Sequence, residues 1–121
     1  MLLLTGCASV GERSDAAGSA ALRMLTAVES EDGPAACAVL APDTLAALEE
    51  SAEKPCAEAI LEEDLPQPGE VTGAEVFGQR AQVRLTGDTV FLAVFPDGWR
   101  VVAAGCTPRG DRPYDCALEG S

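Results

Sequence analysis

The stretch Ala81-Gln82-Val83-Arg84-Leu85-Thr86-Gly87-Asp88-Thr89-Val90-Phe91-Leu92-Ala93-Val94-Phe95-Pro96-Asp97-Gly98-Trp99 decides the fold. Ala81, Val83 and Leu85 alternate with Gln82 and Arg84, the period-two pattern of a strand with one face towards a core. Gly87-Asp88 supplies a tight hairpin turn. Thr89–Phe95 is apolar on both faces, which predicts a central strand covered on both sides. Pro96-Asp97-Gly98 is a second turn, with proline fixing φ and glycine accepting a positive one. Trp99–Gly105 continues as a strand, and Val71–Phe77 precedes the stretch as another. These elements predict a four-stranded antiparallel meander.

Upstream the period changes to that of helices. Ser14 is placed to cap a helix carrying Ala17, Ala21, Met24, Leu25 and Val28. Asp32-Gly33-Pro34 breaks it and starts a second helix with Cys37, Val39 and Leu40, ending near Ala41. Pro42-Asp43-Thr44 opens a third, with Leu45, Leu48 and Ala52 on one face and Glu49, Glu50 and Glu53 towards water. Pro55 starts a short fourth containing Cys56, Ala59, Ile60 and Leu61. Leu65-Pro66-Gln67-Pro68-Gly69 is a stiff connector to the strands. Beyond the last strand, Cys106 to Cys116 reads as a loop folded back on the sheet, with Tyr114 and Leu118 over its second face. The class expected is α+β: short N-terminal helices packed on a four-stranded antiparallel curved sheet.

The chain has 121 residues, a length typical of one domain, with no His and a formal charge of −12. Fourteen acids against three basic residues lie between Glu12 and Glu70, whereas Val71 to Ser121 holds six acids and five arginines. Such acidity opposes nucleic-acid binding, which needs clustered Lys or Arg. Without His there is no Ser–His or Cys–His nucleophile pair and no His-based zinc site. Without Asn there is no N-glycosylation acceptor. The acidic helices read first as solvated faces that maintain solubility.

Five cysteines are present. Setting Cys7 aside leaves Cys37, Cys56, Cys106 and Cys116, for which three pairings exist. The local one, Cys37 with Cys56 and Cys106 with Cys116, closes two modest loops and is the one expected. No CxxC occurs, and disulfides in an oxidising compartment outside the cytoplasm fit better than a zinc ribbon.

At the amino terminus, Leu4-Thr5-Gly6-Cys7 resembles the lipobox of bacterial lipoproteins. The resemblance implies cleavage before Cys7 and diacylglyceryl modification of its thiol, an anchor that works through buried methylenes. Only Leu2-Leu3-Leu4 stand where an apolar segment of about 7–15 residues is expected, so residues 1–6 read as the remnant of a truncated signal. Residues 7–13 then form a lipidated tether, and 14–121 one α+β domain.

The order of helices then curved sheet is similar to the ketosteroid-isomerase-like cone domains. Pro42–Glu49, Gly98-Trp99-Arg100-Val101 and the Cys106…Cys116 tail resemble small lipoproteins of high-GC actinobacteria. An enzyme of the cone type would need a carboxylate in a deep apolar pocket. Asp88 and Asp97 sit at turns, where Asp serves the backbone, and Glu75 is the sole acid inside a predicted strand. Glu58, Glu62, Glu63 and Asp64 form an acidic helix end but lack a calcium-loop pattern. Trp99 reads as core. Arg109, Arg112 and Tyr114, in the disulfide-closed tail, are the candidate partner contact.

The function expected is a non-catalytic, lipid-anchored extracytoplasmic binding or accessory module of the cell envelope. It would touch the membrane through its lipid and have an envelope protein as partner, with no cofactor, metal or nucleic acid. The alternative is a small apolar ligand carrier or degenerate enzyme of the cone fold, which requires a cavity of about 300 Å3 or more between helices and sheet.

Overall fold

The computed structural model describes residues 10–120, except the side chains of Val10 and Arg112. Four helices, α1 (Val10–Glu29), α2 (Gly33–Cys37), α3 (Pro42–Ala52) and α4 (Cys56–Ala59), precede five strands, with a 3-10 turn (Ile60–Glu62) continuing α4. The strands are β1 (Val71–Phe77), β2 (Arg80–Leu85), β3 (Thr89–Phe95), β4 (Gly98–Arg109) and β5 (Arg112–Glu119). They form one antiparallel sheet in sequential order.

The fold is therefore α+β, with one strand more than the four expected. The segment from Cys106 to Cys116, expected as a loop folded back on the sheet, is instead the far end of β4 and most of β5; it contains Pro108, Gly110 and Pro113. Cys106 stands directly opposite Cys116 in the register, and Thr107 opposite Asp115. Both prolines lie in the last hairpin, at the sheet's edge, where a missing N–H costs least.

Local chemistry accounts for the helix starts. Asp32 caps α2 by accepting the amide of Ala35 at 3.2 Å, and Pro34 stands in its first turn. Pro42 does the same for α3. By contrast α1 is already helical at Val10, four residues before Ser14, so the described part of the expected tether, residues 10–13, is helix. Its first turn is held from outside: the Arg13 guanidinium donates to the carbonyl of Gly78 at 2.6 Å.

The core lies between the helices and one sheet face. Met24, Leu25, Leu40 and Ile60 meet Val83, Val90, Leu92 and Val101, each at most 1% exposed. On β3, Val90 and Leu92 are buried on the core face, whereas Val94 at its end and the outward Phe91, Ala93 and Phe95 are only half-buried. One further reading is corrected. Glu49 does not simply face water: its Oε2 accepts the Cys56 amide at 2.8 Å. Leu61 is exposed, whereas Ile60 fills the core.

Cys37–Cys56 joins the end of α2 to the start of α4, and Cys106–Cys116 joins β4 to β5. Both expected local pairings are present. Close packing of α2 on α4 requires glycine at Gly33, because a Cβ there would lie 2.0 Å from the Ala57 carbonyl oxygen. Leu40 makes a parallel bridge to Val101, through Val101 N–H to Val39 O and Ala41 N–H to Val101 O, both 2.8 Å. The α2–α3 connector thus borders β4 where β5 has ended.

Candidate functional site

Asp88 follows the β2–β3 turn and is 8% exposed. As its turn position predicts, the carboxylate serves the backbone, accepting the Thr89 amide at 2.7 Å. It also accepts the amides of Gly105 and Cys106, each at 2.9 Å. Gly105 has φ +67°, a left-handed conformation that suits glycine. This local twist turns two consecutive N–H groups of β4 towards one carboxylate, just beyond the last β3–β4 register pair, Phe91 with Ala103. Asp88 thereby substitutes for the strand partner that β4 has lost. A cleft of about 400 Å3 opens beside it, with Asp64, Thr107, Asp115 and Ala117 on its walls.

Of the three residues expected to contact a partner, Arg109 and Tyr114 have described side chains, and they sit in different surroundings. The backbones of Arg109 and Arg112 face each other at the tip of the β4–β5 hairpin. Arg109 is exposed, and its Nε donates to the Pro113 carbonyl at 3.2 Å. The Arg112 side chain lies outside the described residues. Tyr114 is half-buried on the outer sheet face, its ring edge-on to Phe91 with centroids 5.1 Å apart. Leu118, expected beside it, is instead in the core at 2% exposure.

At the opposite end of the sheet, the β1–β2 and β3–β4 turns lie side by side, joined by Val94 N–H to Gln79 O at 2.9 Å. Arg100 forks onto Asp97 within the second turn, with Nε to Oδ1 at 3.1 Å and Nη2 to Oδ2. Its Nη1 donates to the Leu40 carbonyl at 3.1 Å, tying the turn to the α2–α3 connector. The hydrogen bond from Arg100 holds the Asp97 carboxyl below its ordinary value, and the same bond raises the Arg100 guanidinium. Trp99 is half-buried against the core rim, with the Arg13 guanidinium 5.6 Å from its ring centroid. Phe77, missed as a surface feature by the sequence reading, is 61% exposed at this end. The signal was legible: period two from Glu75 places Phe77 on the outward face.

Glu75 is exposed and pairs with Arg84 at 2.9 Å across β1 and β2. At the acidic helix end, Glu62 pairs with Lys54 at 2.6 Å. Among the described residues no group of three or more His, Cys, Asp or Glu side chains is placed to hold a metal ion. Nor does any buried side-chain nitrogen or oxygen among them lack a hydrogen-bond partner. Cys7 lies outside the described residues.

Another cleft, of about 300 Å3, lies between the start of α3 and the strands, bounded by Thr44, Arg80, Ala93, Phe95 and Val102. Thr44 is fully buried and donates through Oγ1 to the Val102 carbonyl at 2.8 Å, which leaves its hydroxyl proton committed. Set against models of protein families, curated proteins and solved structures, the chain matches none. Two disulfides indicate an oxidising, extracytoplasmic setting. Among the described residues no helix is long and apolar enough to cross a membrane.

Proposed function

We propose that this chain is a lipid-anchored binding or accessory module of the cell envelope, without catalytic activity, attached through Cys7. The observation that carries the reading is the cysteine arithmetic. Four of the five cysteines are joined in two disulfides within the described residues, so none of them is left to pair with Cys7. That fifth cysteine stands in the lipobox-like Leu4-Thr5-Gly6-Cys7 context. The likeness to small actinobacterial lipoproteins supports the same reading. Packing supports the non-catalytic part: Val83, Leu92 and Leu48 fill the centre of the helix–sheet interface, and the strand acid Glu75 is ion-paired in solvent.

The intact mass of the protein from its host, with and without reductant and alkylation, tests the anchor. The expected species begins at a diacylated Cys7, with four cysteines protected until reduction. An unmodified mass beginning at Met1, with alkylatable thiols, overturns it.

The second reading, a carrier of a small apolar ligand, has the 300 Å3 cleft over Ala93 and Phe95 in its favour. Saturable binding of an apolar fluorescent probe, abolished by Ala93→Trp, would establish it.

A further inference from the structure

Phe77 and Arg80 face each other across the β1–β2 turn as register partners. Phe77 is 61% exposed, while the other large exposed hydrophobics among the described residues, Leu61 and Val71, are each 38% exposed. Arg80 is also exposed, and no acid pairs with it among the described residues. An aromatic ring beside a free guanidinium suits a boundary between hydrocarbon and phosphate, where apolar bodies insert and cationic heads remain wet.

The start of α1 is fastened to this same end. Arg13 stands one turn into the helix, donates to the Gly78 carbonyl at 2.6 Å and lies over Trp99. Cys7 precedes Val10 by three residues, a segment that spans at most about 10 Å even when fully extended. A lipid on Cys7 therefore leaves little freedom in which end of the sheet approaches the bilayer. The end bearing the β1–β2 and β3–β4 turns must lie close to it. The β4–β5 hairpin, with Arg109 at its tip, belongs to the other end.

We propose that the Phe77 end is a membrane-docking face, with the Phe77 ring in the interfacial zone of a phospholipid bilayer and Arg80 against the lipid phosphates. The proposal rests on the reading of Cys7 as the anchor, but its test does not need native acylation. In the oxidised protein Cys7 is the cysteine outside both disulfides, so its thiol can be coupled to a maleimide-headgroup lipid. The vesicles contain phosphatidylcholine and phosphatidylglycerol with brominated acyl chains.

In a Trp99→Phe background, the indole of Phe77→Trp should be quenched at least about twofold on coupling, as expected for an interfacial side chain. The indole of Thr107→Trp, at the other end, should be unchanged. Equal quenching of both, or none in either on coupled vesicles, overturns the proposal.

Should Trp99→Phe fail to fold, amide exchange replaces fluorescence. Coupling should slow exchange at residues 78–80 several-fold in the native sequence and not in Phe77→Asp; the same rate with and without vesicles overturns docking. A dimer of the uncoupled protein that breaks on Phe77→Asp would assign the face to a second copy and also overturn it. A host mass without acylation would remove the anchor reading and leave the vesicle result standing on its own.

Discussion

Asp88 Oδ1 accepts the backbone amide of Cys106 at 2.9 Å, across eighteen residues of sequence and at a buried position. The other oxygen takes the neighbouring Gly105 amide. One turn carboxylate thus holds the strand that carries a disulfide, at the point where that strand leaves β3.

Asp88→Ala should destabilise the protein by about 3 kcal/mol, because it strips partners from amides that are costly to leave unsatisfied when buried. Asp88→Asn should recover only part of this, since its amide nitrogen would face N–H donors. Urea unfolding measures both; a loss below about 1 kcal/mol for the alanine variant would show that water satisfies these amides.

Removing Cys37–Cys56 as the double serine variant should cost about 3 kcal/mol, since the bond closes a loop of roughly 20 residues in the unfolded chain. That corresponds to a fall in Tm on the order of 10 °C. It also unties α2 from α4, helices of five and four residues that have little stability alone. Calorimetry with and without reductant checks both disulfides at once.

The Asp97–Arg100 pair should make stability depend on pH in one direction. Its contribution, the difference between the native protein and Asp97→Asn, is fully present above the ordinary Asp value of about 3.9. It is lost as the pH falls through the lowered folded value. Because Asp97 is solvent-exposed, high salt should shrink the difference. Equal pH profiles for the two proteins would contradict the shift.

Tyr114 and Arg109 should separate structure from recognition. Tyr114→Ala removes the edge-on contact with Phe91 and should cost about 1–2 kcal/mol, whereas Tyr114→Phe keeps the ring and should be near neutral. Arg109→Ala should change stability by less than about 0.5 kcal/mol. If the chain captures an envelope protein, as proposed, loss of that capture by Arg109→Ala and not by Tyr114→Phe would mark the hairpin tip as a contact surface.

Much of the architecture was legible from the chain. The bounds of β1 and β3 agree with those read from the chain, β3 as an apolar run between two turns, and α3 begins at the proline that cannot continue the preceding segment. Those features depend on near neighbours: alternation along a strand, a fixed φ, an amide capped three residues away. The two local disulfides followed from counting and loop size. The fifth strand did not, because Pro108, Gly110 and Pro113 signal turns, and only the cross-strand cysteine pair and Tyr114 packed on Phe91 show how they are overruled.

Sequence by itself determined the helices-then-sheet order and the turn positions, and it left three pairings of four cysteines, with the local one preferred. Tertiary structure alone decided that the chain is already helical at Val10, that Asp88 binds β4, and that Phe77 shares an end of the sheet with the N-terminal turn of α1. The reason is distance along the chain. Arg13 finds Gly78 across sixty-five residues, and Asp88 finds Gly105 across seventeen. No local pattern encodes such partners; they meet because the packed core brings their backbones together.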